Sequence, residues 1–553
     1  MQKKYFSPPL GPNDTRGVQA NLSKCWPWIA VAIIIVFVAT IRIGLLEIPL
    51  ERDEGEFAYM GQLMLQGIPP YLLAYNMKLP GIYAAYALVL AIFGQTIAGI
   101  HLGLMVVNAI AIILLFLLTR RLFDDVAGVV AAASYGLLSL SPSVLGTSAH
   151  ATQFIVPLAL GGTLLLLKSL DSGRWWMLFL SGLLYGSAFI MKQHAVFFIA
   201  FGVIYFIWSI RWRHPFDLKR LAGGTSLLML ASAIPFVLSC AVLYAVGVFS
   251  RFWFWTFTYG SQYVSQVPLS YAVHNLMFLA PRAINPWGVL WGIAGTGLTA
   301  IFWSQKARKN WFFLVGAALF SFLTVCPGFI FRNHYFVTLL PAVALLAGVA
   351  ASATMQFLSN KKMPSPVQIL PVLVVAAAII GPIFTLSRFF FTATPVEACR
   401  MMYGENPFPE SIEIAEYIKN HSMEHDKIAV IGSEPQIYFY ANRKSATGYI
   451  YVYGLMERQD YAFLMQLEMI REIEKARPRY AVIVNVPASW LRMPGSDTTI
   501  FKWAQRYLNS NYQTVGLVEV IPYGNYRAYW DDDPRINRPP SEFNVYVLKR
   551  REG

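Results

Sequence analysis

The chain has 553 residues, of which 56% are hydrophobic and 15% aromatic, whereas only 13% are charged. This composition is too apolar for the cores of a water-soluble protein and indicates an integral membrane protein. The net charge of +14 does not indicate a nucleic-acid partner, because the lysines and arginines lie in short clusters between apolar runs, where they act as topology signals. The four cysteines are scattered without a metal-ligand spacing and are interpreted as packing thiols.

The first apolar run, residues 26–48, is long enough to span a bilayer. It lacks a small-x-small cleavage pattern, so it is predicted to be a retained helix. The arm before it is basic, which predicts a cytoplasmic N-terminus. Its charged residues are Lys3, Lys4, Arg16 and Lys24, against the acid Asp14.

Residues 51–80 follow directly and carry an unusual concentration of charge at a membrane border. Charged groups are costly at such a border unless they have a task. The segment is therefore predicted to be the catalytic loop of a membrane enzyme. Its charged residues are Glu51, Arg52, Asp53, Glu54, Glu56 and Lys78.

The next apolar run, residues 81–93, is too short to span and is predicted to lie along the membrane interface. With that choice Arg120 and Arg121 fall inside the cell, and the later loops at 168–174, 211–220, 306–309 and 360–362 are basic and inside as well. The pattern predicts about eleven spans, with thirteen as the upper count. The aromatic stretch 252–263 is interpreted as an interfacial belt.

From residue 394 the composition becomes that of a water-soluble domain. Helices are predicted at 409–421, 457–477 and 500–508, and strands at 427–432, 479–486, 515–521 and 544–549. Such alternation indicates an α/β domain with a partly parallel sheet. Gly432 after the first strand makes no GxGxxG pattern, so no dinucleotide site is expected. The predicted domains are 1–393, including a first outer loop at 49–98, and 394–553.

With this topology the polar residues at helix ends converge on the outer face. A carboxylate can activate a hydroxyl, and cations can hold an anionic leaving group, so the mixture suits transfer from a phosphate-bearing lipid. The convergent residues are Asp53, Glu54, Lys78, His150, Lys192, His194, Arg251, Arg332, His334 and Tyr335.

Five motifs carry a resemblance to a known family: RDEGEFAYMGQLMLQGIPPY, NMKLPGIY, TRRLFDD, FIMKQHAV and FRNHYFVTLLPAVALLAG. Together they resemble the bacterial branch of the GT-C glycosyltransferases, which is similar to protein O-mannosyltransferases and to the aminoarabinose transferase of lipid A. The resemblance covers about 390 residues of the membrane part and extends weakly into the tail. It implies a GT-C fold, a polyprenyl-phosphate sugar donor, an acceptor reached from the outer face, and inversion at the anomeric carbon.

The resemblance also implies residue roles. Asp53 would be the catalytic carboxylate, with Glu54 beside it, while Lys78 and Arg332 would contact the donor phosphate. Lys192 is a further candidate for the phosphate, because a cation at the end of an apolar helix needs an anionic partner or water. The pattern departs in two places, because Met77 stands where the aminoarabinose transferase has a metal-binding Glu, and His101 stands where many relatives have Arg. A divalent metal is neither required nor excluded. Candidate substrate-binding residues are Tyr59, His101, His150, His194, His334 and Tyr335.

These observations predict an inverting sugar transferase in the bacterial inner membrane, with an extracytoplasmic C-terminal domain. The acceptor would be a hydroxyl of a glycan, lipid or protein. Two alternatives stay open. A transporter or flippase of lipid-linked sugars would share the cationic cavity but predicts two related halves. A polysaccharide ligase or polymerase with a diphosphate-linked donor would share the arginines without needing the acidic first loop.

Overall fold

The computed structural model describes residues 14–212, 217–521, 524–537 and 541–552. The side chains of the basic N-terminal arm lie outside the described part. The helices up to residue 212 are α1 (Asp14–Gly44), α2 (Arg52–Leu65), α3 (Pro80–Phe93), α4 (Ile97–Leu122), α5 (Asp125–Leu138), α6 (Ala151–Ser172), α7 (Trp175–Met191) and α8 (Val196–Trp212).

The helices from residue 217 to 385 are α9 (Leu218–Ala245), α10 (Phe249–Trp253), α11 (Gly260–Val264), α12 (Leu269–Ile284), α13 (Gly288–Thr299), α14 (Gln305–Lys309), α15 (Trp311–Leu323), α16 (Leu340–Asn360) and α17 (Ser365–Thr385). A 3-10 segment, Asn333–Thr338, precedes α16.

Seven of the described helical segments are long and apolar enough to cross a membrane. They are Cys25–Gly44 within α1, α4, α6, Gln193–Trp212 around α8, α9, α16 and α17. Shorter apolar helices occupy the other predicted spans, namely α5, α7, Gly288–Phe302 and α15. The prediction of a polytopic helical membrane protein is confirmed, while the number of spans stays a prediction. The short run predicted at the interface forms α3.

Small residues let the membrane helices approach closely. A Cβ atom on Gly186 of α7 would lie 2.2 Å from the carbonyl oxygen of Ser232 in α9, and one on Gly348 of α16 would lie 2.3 Å from that of Ala127 in α5. Glycines at such contacts favour helix packing in a bilayer, where lipid offers no hydrophobic drive between helices.

The loops predicted to lie inside the cell contact one another at one end of the helices. Arg121 donates to the carbonyl of Leu167 (3.3 Å), and Arg220 donates to the backbone at the end of α6 (3.1 Å). Lys306 lies 3.0 Å from a carboxylate oxygen of Asp124. The basic loops therefore form one surface, as expected if they share a side of the membrane.

Residues 52–65 differ from the sequence prediction, because they form helix α2 and not a loop. The helix begins with a capping box: Glu51 accepts from the amide of Glu54 (2.9 Å), and Glu54 accepts from the amide of Glu51 (3.3 Å). Two carboxylates of the charged cluster thus satisfy helix-end amides. Apolar residues such as Phe57 and Leu63 are buried.

The aromatic stretch 252–263 also differs from the predicted interfacial belt. Phe252, Trp255 and Tyr259 are buried. The Trp255 ring stacks on Tyr75 with a centroid distance of 5.7 Å, and the Tyr259 hydroxyl donates to Glu457 of the C-terminal domain (2.6 Å). Much of this stretch therefore packs against protein, because the C-terminal domain covers it.

The C-terminal region contains a six-stranded sheet with the order β2-β1-β3-β6-β4-β5. Its strands are β1 (Lys427–Ile431), β2 (Lys444–Ser445), β3 (Tyr480–Asn485), β4 (Tyr512–Glu519), β5 (Arg527–Trp530) and β6 (Asn544–Arg550). The helices are α18 (Pro395–Tyr403), α19 (Phe408–Asn420), α20 (Gln436–Ala441), α21 (Tyr453–Met456), α22 (Ala462–Ala476), α23 (Pro487–Trp490) and α24 (Thr499–Asn511).

The sheet confirms the predicted α/β class, since β2, β1 and β3 are parallel and the other pairs antiparallel. The predicted elements are all present, with the second predicted helix beginning later, at Ala462. The short strands β2 and β5 were not predicted, because edge strands of two to four residues carry little periodicity.

Helix α2 shares one apolar cluster with this sheet. Phe57, Ala58 and Leu63 of α2 belong to the same buried cluster as Ile428 and Val430 of β1. The helix that carries Asp53 is therefore packed into the core of the C-terminal domain.

Candidate active site

A cavity of about 930 Å³ lies between the ends of the membrane helices and the C-terminal domain. This volume is typical of sites for small molecules and cofactors. Asp53, Lys78, Lys192 and Arg332 all line it from the membrane part. The opposite wall comes from the C-terminal region and includes Tyr403, Asn406, Phe408, Tyr451, Tyr453 and Glu457.

Asp53 lies in the first turn of α2 and forms an ion pair with Lys78. Lys78 Nζ is 3.2 Å from Asp53 Oδ2, and both side chains are largely buried. Burial by itself would raise the pKa of Asp53, but the charge of Lys78 and its hydrogen bond to the carboxylate outweigh burial and lower that pKa. The same pairing raises the pKa of Lys78 against the cost of its burial. Asp53 is therefore an ionised carboxylate in a cation-rich cavity.

The segment that carries Lys78 is anchored by the buried carboxyl of Glu56. Asn76 donates to Glu56 Oε2 (2.5 Å), and the Tyr83 hydroxyl lies 2.7 Å from Glu56 Oε1. The Tyr71 hydroxyl donates to the carbonyl of Lys78 (2.7 Å). Burial raises the pKa of Glu56 to about 8. Glu56 is thus a largely neutral acid at pH 7, one helical turn after Asp53.

Lys192 and Arg332 also face the cavity, and neither forms an ion pair with the described residues. Burial and the charge of Lys78 lower the pKa of Lys192 well below its ordinary value, so a bound anion would favour its charged form. Lys192 is buried and lies 3.9 Å from the centre of the Tyr335 ring, an arrangement typical of a cation–π contact. The guanidinium of Arg332 is open to the cavity and forms neither an ion pair nor a hydrogen bond with the described residues. Cations without counterions in an enclosed site favour an anionic ligand.

Two histidine rings lie beside Asp53. His150 stacks on His334 with a centroid distance of 4.1 Å and an angle of 13°. His150 Nδ1 is 3.8 Å from Asp53 Oδ2 and 3.6 Å from Glu51 Oε1. Burial lowers the pKa of His150 to about 4, so its ring is neutral at pH 7.

Asp53, His150 and His334 are the described residues that could hold a metal, since their ligand atoms lie within 4.8 Å of one another. Two imidazoles and a carboxylate suit zinc chemically. The geometry fits poorly, because the two ring planes are nearly parallel, so lone pairs that lie in these planes do not meet at one point. Lys78 also contacts Asp53, and Lys192 Nζ lies 3.4 Å from His334 Nε2. The ammonium group of Lys78 repels a further cation.

Glu54 and His101 face each other away from the cavity. His101 Nε2 lies 3.2 Å from Glu54 Oε1, and that oxygen also accepts from the amide of Ala149 (2.5 Å). His101 Nδ1 lies 2.7 Å from the carbonyl of Leu46. Both residues connect the start of α2 to its neighbours, and neither lines the cavity.

Of the other candidates, Tyr59 lies outside the cavity and His194 and Tyr335 line it. The Tyr59 hydroxyl accepts from the amide of Ser445 (2.7 Å), so Tyr59 belongs to the contact with the C-terminal domain. His194 Nδ1 lies 2.9 Å from the carbonyl of Thr324, and its ring packs edge-on against Tyr335. Arg251 lies over Tyr75 and 3.6 Å from Glu468.

Several cavity residues were missed by the sequence reasoning. Tyr451 faces the cavity, and its hydroxyl has no hydrogen-bond partner in the described chain. Its aromatic run, GYIYVYG, is visible in the sequence but lies in the soluble region, where no site was sought. Glu51 was noted only as part of the charged cluster. Burial and the carboxylates of Asp53 and Glu54 raise its pKa well above the ordinary value.

Comparison with known proteins supports the predicted resemblance. Residues 78–239 match the family described as dolichyl-phosphate-mannose-protein mannosyltransferase. The chain is 28% identical over 253 residues to the undecaprenyl phosphate-alpha-4-amino-4-deoxy-L-arabinose arabinosyl transferase of Pseudomonas paraeruginosa, covering 42% of this chain and 43% of the relative. The same enzyme of Pseudomonas aeruginosa PAO1 is 30% identical over 221 residues, covering 37% and 38%. The chain thus matches about two fifths of the length of these relatives.

Solved structures match over nearly the whole chain. The crystal structure of ArnT from Cupriavidus metallidurans bound to undecaprenyl phosphate has a TM-score of 0.54 and 17% identity, covering 95% of this chain and 98% of that one. The archaeal oligosaccharyltransferase AglB from Archaeoglobus fulgidus, in complex with an inhibitory peptide and a dolichol-phosphate, has a TM-score of 0.51 and 12% identity, covering 93% and 75%. The chain therefore has the same type of fold as these proteins, and the predicted resemblance is confirmed.

Proposed function

We propose that this protein transfers a sugar from a polyprenyl-phosphate carrier to an acceptor hydroxyl on the extracytoplasmic face, with inversion and with Asp53 as the base. The observation that carries the proposal is the ionised carboxylate of Asp53 in a cavity with Lys78, Lys192 and Arg332. The relatives named above act on an undecaprenyl-phosphate-linked sugar, which supports a monophosphate carrier.

In the proposed step the acceptor oxygen forms a bond to the anomeric carbon of the sugar. The bond from that carbon to the phosphate oxygen breaks, and the carrier leaves as its phosphate. Asp53 takes the proton of the acceptor hydroxyl. Lys78, Arg332 and Lys192 stabilise the negative charge that develops on the leaving phosphate, so no general acid is needed.

The two walls of the cavity suggest separate places for the two substrates. The lysines and arginines of the described lining belong to the membrane part, whereas the C-terminal wall has none and includes Tyr451 and Tyr453. We infer that the phosphate binds on the membrane side and the acceptor on the C-terminal side. Aromatic faces with hydroxyl groups suit sugar rings better than they suit phosphate.

Glu54 has a positioning role in this proposal, since both of its oxygens are engaged by helix-end amides and His101. A bound metal at Asp53, His150 and His334 would act as a Lewis acid, but no step of the proposed transfer requires one. A diphosphate-linked donor is less well supported, because the relatives' names specify a monophosphate carrier.

The orientation belongs to the same proposal. We infer that the protein lies in a bacterial inner membrane with its basic loops in the cytoplasm, because positively charged loops are retained on that side. The cavity and the C-terminal domain then face the periplasm.

The test is a transfer assay with the full chain in lipid nanodiscs. Radiolabelled undecaprenyl-phosphate-linked sugars, including 4-amino-4-deoxy-L-arabinose, are supplied with extracted envelope lipids and glycans as acceptors. We expect label in an acceptor product and release of undecaprenyl phosphate. If the protein binds undecaprenyl phosphate no better than a neutral polyprenol and transfers none of these sugars, the proposal is wrong.

A further inference from the structure

Arg52 is the first residue of α2 and immediately precedes Asp53, yet its guanidinium is bound by the C-terminal domain. Its Nε donates to the carbonyl of Ser433 (2.5 Å), its Nη2 to Glu434 Oε1 (2.7 Å) and its Nη1 to the Tyr453 hydroxyl (2.8 Å). The donors of this guanidinium therefore all bind one group of residues in the C-terminal domain, about 380 positions away in the chain. We call Ser433, Glu434 and Tyr453 the Arg52 socket.

The Arg52 socket is held in place by its own bonds. Glu434 is fully buried, and its second oxygen accepts from the Ser489 hydroxyl (2.6 Å). The Tyr453 hydroxyl donates in turn to the carbonyl of Ala488 (2.6 Å). A planar guanidinium that meets fixed acceptors at several donors has little freedom to rotate.

The rest of α2 rests on the same domain. A Cβ atom on Gly55 would lie 2.7 Å from Gln436, so the helix approaches the start of α20 at a position where only glycine fits. Tyr59 accepts from Ser445, and Gln62 donates to the carbonyl of Phe439 (3.4 Å). The C-terminal domain thus contacts successive turns of the helix whose first turn carries Asp53 into the cavity.

We propose that Arg52 is a positioning residue, and that its pairing with Glu434 makes the C-terminal domain set the rotation and depth of α2 and hence the place of Asp53. This inference rests on the proposed function, because it gives Asp53 a task that needs accurate placement. Arg52 and Tyr453 both line the cavity, so Tyr453 contacts Arg52 and also faces the place proposed for the acceptor.

The alternative is that the pair only stabilises the fold, as removal of one partner from a buried ion pair generally destabilises a protein. A stabilising role lowers the amount of folded protein without changing the turnover of the folded fraction. A positioning role lowers kcat in the folded fraction and leaves donor binding intact. The two roles are therefore separable by kinetics.

The experiment compares R52K, R52Q and E434A with R443Q in the full chain in nanodiscs. Arg443 is a matched control, since its buried guanidinium donates to Ser422 and to the carbonyl of Lys419 within the same domain and lies outside the cavity lining. We expect the three socket variants to lose at least tenfold in kcat per folded protein. Their Kd for undecaprenyl phosphate should stay within about twofold of the original chain, and R443Q should keep its kcat.

Amide hydrogen exchange supplies a readout that does not need turnover. We expect faster exchange in residues 52–65 of R52Q and of R52K, but not of R443Q. If R52Q does not fold, the same test is made with R52K. This variant keeps the positive charge but lacks the planar set of guanidinium donors. Unchanged kcat and unchanged exchange in R52K, or equal losses in R443Q, would overturn the positioning role. An error in the proposed function would give a different result. The unmodified chain would then show no transfer, while the exchange comparison would still report on helix α2.

Discussion

The carboxylate of Asp53 and the ammonium of Lys78 lie 3.2 Å apart, although 25 positions separate them in the chain. The first belongs to helix α2 and the second to the segment before α3, and the pair lies at the edge of the cavity. A donor phosphate offers Lys78 a second anion, so its binding would weaken the hold of Lys78 on Asp53. The pair therefore links occupation of the donor site to the availability of the proposed base.

Replacement of Asp53 by asparagine tests the base directly. We expect D53N to lower the transfer rate by roughly 10²–10⁴-fold, which is the usual contribution of a general base. Binding of undecaprenyl phosphate should be retained or strengthened, because a negative charge leaves the cavity. The measurements are transfer in nanodiscs and titration with the lipid. The control is D532N, because Asp532 is exposed. Full activity of D53N would contradict the mechanism.

Lys78 and Arg332 are expected to bind the donor phosphate. Each charge-assisted hydrogen bond contributes about 1.5–3 kcal/mol, so K78Q or R332Q should weaken undecaprenyl phosphate binding roughly 10- to 150-fold. The titration is repeated with K306Q, whose lysine pairs with Asp124 at the other end of the helices. An equal loss in K306Q would mean that general charge, and not the cavity, attracts the lipid.

Tyr451 is expected to contact the acceptor. Loss of one neutral hydrogen bond of about 0.5–1.5 kcal/mol predicts that Y451F raises the acceptor KM roughly 2- to 13-fold. Donor binding should not change, because Y451F removes only a hydroxyl and leaves Lys78 and Arg332 in place. Y417F is a matched control, since the Tyr417 hydroxyl donates to the exposed Asp531. This contact lies far along the sheet from Tyr451. A changed donor Kd with an unchanged acceptor KM would contradict the assignment of the two walls.

Glu56 is expected to make stability depend on pH. Its pKa is about 8 in the folded protein and 4.5 ordinarily, so folding takes up a proton between these values and stability falls as pH rises through this window. E56Q does not titrate. The Tm of E56Q minus that of the original chain should therefore rise between pH 5 and pH 8 and stay constant above pH 8. The control is E416Q, because Glu416 is exposed. The Tm difference between E416Q and the original chain is expected to be the same at each pH.

Metal removal is expected to leave transfer unchanged. Lys78 and Lys192 already contact Asp53 and His334, and the stacked rings of His150 and His334 do not converge on one point. Treatment with EDTA followed by the transfer assay checks this, with added zinc as the second arm. Loss of transfer on chelation, restored by zinc, would show that the cluster opens to hold an ion.

The class of the protein and most of its elements could be predicted from the amino-acid sequence. Long apolar runs have no stable place outside a bilayer, and the alternation after residue 394 has the periods of helix and strand, so both parts were predicted with their order. The carboxylate cluster and Lys78 were found for a similar reason, because charge is rare beside a membrane span. These features are local, and local sequence carries them.

Which of these polar residues share a cavity could be seen only in the folded chain. Glu54 and His101 face each other beside α2, and Tyr59 faces the C-terminal domain, whereas Asp53 on the same helix faces the cations. Which side of a helix meets which neighbour depends on how α2 docks on the C-terminal domain. That docking includes the contact between Arg52 and Glu434, which lie 382 positions apart. No local pattern encodes a contact over that separation, so the place of Asp53 and the role of Tyr451 emerged only from the folded chain.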